Sequence, residues 1–226
     1  EMGLGVFRWA DVVLGALDNR EARLWTNRAC WKMNRPWIDG AIEGINGVAR
    51  AFLPGKPPCY ECTLGEVDWK ILEKRMGCAL LTREEMEHGK TPTTPTTSSI
   101  IAGIQVQEAL KYLHGLPVLA GKGFVFEGMN HTSYTVEYTP AADCFSHEIY
   151  TNLRSWSKSS AETTLVELHE FACKQLDSSE VTIDFSRDII QSLHCPHCGE
   201  STTAFKCVGA VTAEQGKCPS DETTRE

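Results

Sequence analysis

The 226-residue sequence contains no apolar run of membrane-spanning length and no signal-peptide pattern at its N-terminus. We therefore expect no membrane-spanning segment. Basic residues are also in deficit, because 22 Lys and Arg stand against 30 Asp and Glu, giving a formal net charge of -8 at pH 7. Since nucleic-acid binding needs clustered Lys and Arg to neutralise phosphates, this balance argues against nucleic acid as the main partner.

The sequence also lacks internal repeats and a G-x-G-x-x-G motif, the glycine-rich turn that holds phosphates in many nucleotide-binding folds. The chain opens on Glu1 and is predicted to enter a strand about a dozen residues later, so we expect preceding residues to be missing from it. Hydrophobic residues make up 42% of the sequence. This is enough for a sizeable core in one large domain, or in one domain with an appendage.

Cysteine, by contrast, is abundant, with ten residues. In a chain with no leader pattern we expect these thiols to be reduced, which points to the cytosol, and closely spaced pairs to bind zinc. Disulfide bonds are the alternative. Three pairs have the two-residue spacing typical of metal ligands: Cys59 and Cys62, Cys144 and His147, and Cys195 and Cys198.

A strand-to-helix junction lies near the N-terminus. Residues 12–17 form a short apolar run that predicts a strand buried on both faces, and residues 22–33 follow with one apolar helical face. Asp18 lies between them, at the carboxyl edge of the predicted sheet, where open α/β sheets bind ligands. Because Asp is also a favoured N-cap residue, capping of the helix is the alternative role for Asp18.

Further elements are predicted along the chain. Residues 44–47 predict a tight reversal between two strands, residues 63–97 an irregular polar segment, and residues 219–226 a disordered tail without apolar content. The remaining predictions are strands at 37–41, 48–53, 123–127 and 132–138, a core helix at 98–113, a linker at 151–162, a helix at 164–176 and a strand pair within 181–193.

Three segments occur in the order and spacing of a known family: ALDNREAR at residues 16–23, CYEC at 59–62 and IIAGIQVQEALKYLHG at 100–115. Over residues 5–147 the sequence resembles the ThiF/MoeB/HesA family, and within it the ubiquitin-activating enzymes. The resemblance implies an α/β fold, with a Rossmann-like ThiF-type adenylation domain at residues 1–150 whose N-terminal nucleotide-loop half is absent. A small α+β module with a zinc ribbon would follow at residues 151–226.

The family uses ATP and Mg²⁺ to adenylate the C-terminal glycine of a small β-grasp protein. The resemblance implies that Asp18 helps hold Mg²⁺ and the ATP phosphates, with Asn19 and Arg23 along the nucleotide and Arg20 either beside them or facing solvent. Magnesium prefers one or two carboxylates plus substrate phosphates, which agrees with this role for Asp18. Family members are usually dimers, so we expect a homodimer or a heterodimer.

Many members then transfer the acyl group to one of their own cysteines as a thioester, on a segment that leads to the core helix. Cys78 lies on the corresponding segment here. Its neighbours Lys74 and Arg75 favour the thiolate, which is the nucleophile. The alternative for Cys78 is an ordinary loop thiol.

The resemblance also implies a structural zinc held by two pairs of ligands. Cys59 and Cys62 match the first pair, and Cys144 and His147 take the place of the second, giving a Cys₃His shell. We expect a second zinc in the tail, while a rival arrangement joins Cys59 and Cys62 to the tail pair. The ligands expected for the tail zinc are Cys195, Cys198 and Cys218, with Cys207 as the candidate fourth ligand.

The function predicted from this resemblance is adenylation of a ubiquitin-like protein, followed by thioester formation on Cys78. The tail module is a candidate docking site for a conjugating enzyme or for the ubiquitin-like substrate. Two alternatives are activation of a sulfur-carrier protein for cofactor biosynthesis, and a non-catalytic zinc-binding partner subunit. A nucleic-acid-binding zinc ribbon is disfavoured by the acidic charge.

Overall fold

The computed structural model describes residues 3–76, 94–159, 161–185, 188–208 and 210–226. The chain divides into two compact units: the first includes the described residues 3–75 and 94–151, and the second includes the described residues from 152 onward. Cys78, the predicted thioester acceptor, lies outside the described residues. Among the residues that the structure describes, no helix combines the length and the apolarity needed to cross a membrane.

A mixed sheet forms the centre of the first unit, and the described strands run in the order β1-β2-β3-β4-β5. Strand β1 is parallel to β2, and the later strands form an antiparallel meander. The predicted α/β class is therefore confirmed, with a sheet that is parallel only at β1. The strands are β1 (Val13–Gly15), β2 (Trp37–Glu43), β3 (Asn46–Phe52), β4 (Lys122–Glu127) and β5 (Thr132–Glu137).

Four helices accompany this sheet in the described part of the first unit: α1 (Leu4–Trp9), α2 (Arg20–Lys32), α3 (Glu66–Met76) and α4 (Pro95–Leu113). Helix α4 packs on β2 and β3. An aromatic cluster of Trp37, Phe52 and Tyr60, each at most 2% exposed, lies in the core. Burial of such large rings is a main source of stability in a domain of this size.

Helix α4 begins at Pro95, three residues before the predicted start at residue 98, with Thr94 as N-cap and Pro95 at the first helical position. Its buried side chains recur three or four residues apart and include the polar Gln105 and Glu108. The apolar side chains of this predicted core helix are thus only partly buried. Several of them stay about half exposed: Ile100, Val106, Leu110 and Leu113.

Two predictions in the first unit are wrong. Leu14 of β1 is 45% exposed, so this strand is not buried on both faces. The reason is that β1, among the described strands, is an edge paired with β2 alone. Residues 66–76, predicted to be irregular, form α3, whose Asp68 side chain accepts a hydrogen bond from the Gly65 amide at 3.0 Å. Because α3 is rich in charged residues, its sequence shows little apolar periodicity, although the helix buries Leu72 completely.

The second unit contains helix α5 (Leu165–Leu176) and the antiparallel strands β6 (Ile189–His194) and β7 (Ser201–Cys207). Helix α5 starts with a capping box between Thr164 and Glu167. The prediction of a strand pair within residues 181–193 is wrong, because β6 pairs with β7. The cysteine pair forms the turn between these strands and does not follow them.

The structure also differs from the prediction of a disordered tail at residues 219–226. The backbone groups of Glu226 and His194 exchange hydrogen bonds of 2.8 and 2.7 Å, and the Arg225 amide donates to Gly216 at 2.9 Å. Backbone pairing, which a composition of polar residues does not reveal, orders this segment.

Candidate functional site

A cleft of about 940 Å³ opens in the first unit where β1 ends and α2 begins. Asp18 is exposed on its wall, and its carboxylate accepts a hydrogen bond from the Asn19 amide at 2.9 Å. The N-cap of α2 is Asn19, whose side chain accepts from the Ala22 amide at 2.7 Å. The capping role considered for Asp18 is therefore filled by its neighbour, and the Asp18 carboxylate lies at the cleft.

Beneath the cleft lies a buried ionic cluster of Arg23, Asp39 and Arg50, which we call the charge cluster. Asp39 is completely buried. Its carboxylate accepts from Arg50 Nε at 3.1 Å and also from Arg50 Nη2, while Arg23 Nε lies 3.2 Å from its other oxygen. Two guanidinium groups around one carboxylate leave one positive charge in excess (2 − 1 = +1).

Burial alone would lower the pKa of Arg50, but the neighbouring carboxylate of Asp39 outweighs this effect and raises the pKa above its ordinary value. Arg50 therefore stays protonated. Its guanidinium also lies over the ring of Tyr60, 5.0 Å from the centroid. Arg23, Arg50 and Tyr60 all line the cleft, so both guanidinium groups border the space where an anion would bind, although carboxylates also line this cleft.

Asp39 and Arg50 were not among the site residues predicted from the sequence. The β2–β3 hairpin pairs Asp39 with Arg50, as part of a register that also pairs Glu43 with Asn46. The predicted reversal at residues 44–47 would place Arg50 opposite Ala41, two positions out of register, because the observed turn between the paired residues Glu43 and Asn46 contains only residues 44 and 45. Opposite charges facing across antiparallel strands stabilise the pair, but the sequence reveals this pair only with the shorter turn.

The loop that carries Asp18 is tied to the sheet from two sides. Arg23 Nη2 donates to the Leu17 carbonyl and, at 2.9 Å, to the Gly40 carbonyl. From α4, the buried Gln105 amide donates to the carbonyls of Gly15 at 2.8 Å and Ile38 at 3.0 Å. These hydrogen bonds hold the cleft wall in place before any ligand binds, which is the property that electrostatic catalysis needs.

Gly40 is required by the close approach of α4. A Cβ atom at this position would overlap the side-chain amide of Gln105. A larger residue at position 40 would have to displace this amide, which donates to the carbonyls of Gly15 and Ile38.

Arg20 lies at the mouth of the cleft and is half exposed. Its Nε lies 2.6 Å from the Asp68 carboxylate of α3. Of the predicted cofactor-binding residues, the structure thus brings all four to one cleft: Asp18, Asn19, Arg20 and Arg23. Their roles toward a ligand stay predictions.

Four potential metal ligands meet in the first unit, and we call them the first ligand group: Cys59, Cys62, Cys144 and His147. The sulfur of Cys59 is 3.8 Å from that of Cys62 and 3.5 Å from that of Cys144, and Cys62 Sγ is 3.3 Å from His147 Nε2. Zinc–sulfur bonds of about 2.3 Å in a tetrahedron put two sulfur atoms roughly 3.8 Å apart. A disulfide needs about 2.05 Å, so these distances fit a metal shell and not a disulfide.

Hydrogen bonds also reach the sulfur atoms of this group. The hydrogen bond to Cys144 lowers the pKa of Cys59 to about 5 and raises the pKa of Cys144 itself. The Ala141 amide donates a hydrogen bond to Cys62 Sγ at 3.4 Å. Zinc binds the thiolate form, so a readily deprotonated Cys59 suits a metal shell.

The surroundings of the first ligand group hold it rigidly. The ring of His147 packs against Trp31 with centroids 4.6 Å apart. Next to Cys62, the buried carboxylate of Glu61 pairs with Arg28 at 2.8 Å and accepts from the Ser146 hydroxyl. These contacts join the two ligand pairs, which come from distant parts of the chain, through groups other than the ligands themselves.

A second ligand group lies in the second unit and consists of Cys195, Cys198, Cys218 and Asp221. Three of the four residues agree with the prediction, but Asp221 takes the place expected for Cys207. Cys207 ends β7 and is not a member of this group. The pairing of Cys59 and Cys62 with Cys144 and His147, and not with the tail pair, follows the first of the two predicted arrangements.

The chain is similar to known proteins over part of its length. Ubiquitin-like modifier-activating enzyme 5 of Dictyostelium discoideum is 32% identical over 110 residues, which is 46% of this chain and 26% of that protein. The Gallus gallus enzyme of the same name is 31% identical over 110 residues, covering 46% of this chain and 25% of its own length. The chain thus spans about a quarter of the length of these curated relatives.

Among solved structures, E. coli MccB with ATP superposes with a TM-score of 0.48 at 19% identity, covering 62% of this chain and 39% of that chain. The model of the ThiF family matches residues 2–145, which include the residues lining the cleft and three of the four members of the first ligand group, His147 lying just beyond the match. The chain belongs to the ThiF family.

Proposed function

We propose that the protein carrying this chain adenylates the C-terminus of a ubiquitin-like protein, using ATP and Mg²⁺. The observation that carries the proposal is the cleft, where the exposed Asp18 carboxylate, the start of α2 and the positively charged cluster meet. A volume of about 940 Å³ is sufficient for a nucleotide. The names of the relatives, which are ubiquitin-like modifier-activating enzymes, support the substrate class.

In the proposed reaction, a carboxylate oxygen of the substrate's C-terminus attacks the α-phosphorus of ATP and pyrophosphate leaves. Mg²⁺ would neutralise part of the phosphate charge, and Asp18 is the residue placed to hold it. Arg23 and Arg50 contribute the excess positive charge of the charge cluster. Asn19 and Arg20 line the same cleft and would lie along the bound nucleotide.

The first ligand group is proposed to hold a structural Zn²⁺. Three thiolates and one imidazole fill a tetrahedral shell, which leaves no open position for chemistry. Such a site stabilises the fold and does not take part in the reaction. In this role it would join the segment after β3 to the segment after β5.

The function is tested by ATP–pyrophosphate exchange with the protein that carries this chain. We expect exchange that depends on both Mg²⁺ and a ubiquitin-like protein with an intact C-terminal glycine. A variant of that partner lacking the glycine is the control and should give background exchange. Exchange that responds only to a sulfur-carrier protein would establish the alternative substrate, and no exchange with any such protein would support a non-catalytic partner subunit.

We also propose Cys78 as the thioester acceptor, on the strength of its cationic neighbours in the sequence. A Cys78→Ala variant should lose the conjugate that thiol reductants cleave and keep pyrophosphate exchange, because adenylation precedes transfer. The measurement is a non-reducing gel run with and without reductant. A Cys30→Ala variant is the matched control, since burial raises the pKa of the Cys30 thiol and makes it unreactive. A conjugate that persists in Cys78→Ala would contradict this assignment.

A further inference from the structure

The second ligand group is independent of the proposed adenylation, and the family match, which ends at residue 145, does not include it. We propose that Cys195, Cys198, Cys218 and Asp221 form a second Zn²⁺ site, with Asp221 as the fourth ligand. One potential ligand atom from each residue lies within 4.8 Å of all the others. Cys198 Sγ is 3.6 Å from Cys218 Sγ, and Cys195 Sγ is 3.6 Å from Asp221 Oδ2.

The first half of the site is a metal-binding knuckle formed by residues 195–199. The Cys198 amide points at Cys195 Sγ with a distance of 3.5 Å, and the Gly199 amide donates to the Cys195 carbonyl at 3.0 Å. Gly199 has φ of +73°, a backbone conformation that glycine adopts without strain. In this turn the two thiol sulfur atoms lie within 4.8 Å of each other.

The second half of the site is a loop of the tail that presents Cys218 and Asp221. The Cys218 amide donates to the Thr223 carbonyl at 2.8 Å, and the Thr223 amide donates to Asp221 Oδ1 at 3.0 Å. Cys218 is 1% exposed. The loop therefore buries its thiol and holds its carboxylate next to the knuckle, although its composition is almost entirely polar.

His197 supports Asp221 from within the knuckle. Its Nδ1 lies 2.8 Å from Asp221 Oδ2, within hydrogen-bonding distance. A carboxylate ligand is commonly oriented by such a hydrogen bond, and an imidazole N–H partner also reduces the negative charge of a shell with three thiolates. His197 is thus a positioning residue for the metal ligand Asp221.

The second unit has few other means of holding this region together. Its buried apolar side chains, in the part of the chain that the structure describes, are Leu193 and Val211, and no described residue of α5 is buried. Small modules with so little buried apolar surface commonly depend on a metal for their fold. We therefore assign the metal a structural role that joins the β6–β7 hairpin to the tail.

The test is the zinc content of the purified full chain, measured by inductively coupled plasma mass spectrometry. The wild-type chain should contain about two zinc ions, one for each ligand group, as tetrahedral sites of this kind bind one ion each. Cys62→Ser and Cys218→Ser should each contain about one, and the double variant close to none. Asp221→Ala should also fall to about one, whereas Cys207→Ser should keep both, because Cys207 is outside the group.

A second measurement locates the loss and guards against misfolding. Limited trypsin digestion should cut faster after Lys206 and Lys217 in Cys218→Ser and Asp221→Ala than in the wild type, with the first unit left intact. His197→Ala should retain zinc in excess metal but lose it to a chelator sooner than the wild type. Full zinc content in Asp221→Ala with loss in Cys207→Ser would overturn the assignment of the fourth ligand. Full zinc content in Cys218→Ser, or iron in place of zinc, would overturn the site.

Discussion

An Asp18→Asn variant is expected to lose ATP–pyrophosphate exchange by about 100-fold or more, the usual cost of removing one placed group that stabilises developing charge. The amide keeps the size of the side chain but cannot serve as an anionic ligand of Mg²⁺. Because Asp18 is exposed, its replacement should leave the free energy of unfolding within about 0.5 kcal/mol of the wild type. Loss of exchange with unchanged stability separates a role in the reaction from a role in folding.

Asp11→Asn is the matched control for this experiment. Asp11 is also an exposed carboxylate near the start of β1, but it does not line the cleft. It should exchange pyrophosphate at the wild-type rate. If Asp18→Asn behaves like Asp11→Asn, the metal and the phosphates are held elsewhere and the proposed role of this carboxylate is wrong.

An Asp39→Asn variant is expected to destabilise the first unit by about 3–5 kcal/mol, the cost of removing one partner from a buried ion pair. The substitution leaves Arg23 and Arg50 facing each other with no carboxylate between them. Both guanidinium groups are only 12% exposed, so water does little to screen their repulsion. Urea unfolding followed by tryptophan fluorescence measures the change, since Trp37 lies on the same strand.

Arg20→Gln provides the comparison, because it removes an ion pair at the surface. Arg20 is 51% exposed where it meets Asp68, and such pairs contribute about 0–1 kcal/mol. Asp39→Asn removes one negative charge and Arg20→Gln removes one positive charge, so each variant changes the net charge by one. Equal destabilisation of the two proteins would contradict the account of the charge cluster as a buried element that depends on its carboxylate.

The position of Asp18 and the two ligand pairs of the first ligand group were predictable because each depends on local sequence, whereas the combination of the two pairs was expected only from the family resemblance. Asp18 follows an apolar run and precedes a helical pattern, and Cys59 and Cys62 have the spacing of a metal pair. The structure adds Asp39 and Arg50, whose proximity depends on hairpin register. The predicted reversal at residues 44–47 is two residues longer than the observed turn and would pair Arg50 with Ala41, so it does not reveal the opposed charges.

Asp221 illustrates what local patterns do not reveal. A single carboxylate in an acidic tail has no spacing that distinguishes a ligand from a solvated charge, and the choice of Cys207 followed residue type alone. The exclusion of Cys207 results from its place at the end of β7, where strand pairing holds it opposite Ile189. Helix α3 was missed for a related reason, since one fully buried leucine among many charged residues gives a weak periodic signal.

The first ligand group joins residues that are 85 positions apart in the chain. Each ligand pair is local, but either pair alone offers only half of a tetrahedral shell. The complete shell therefore requires both the segment after β3 and the segment after β5, which β4 and β5 connect to the sheet. Because zinc would bind the complete shell and not the unfolded chain, the free energy of unfolding of the first unit should rise with the concentration of free zinc.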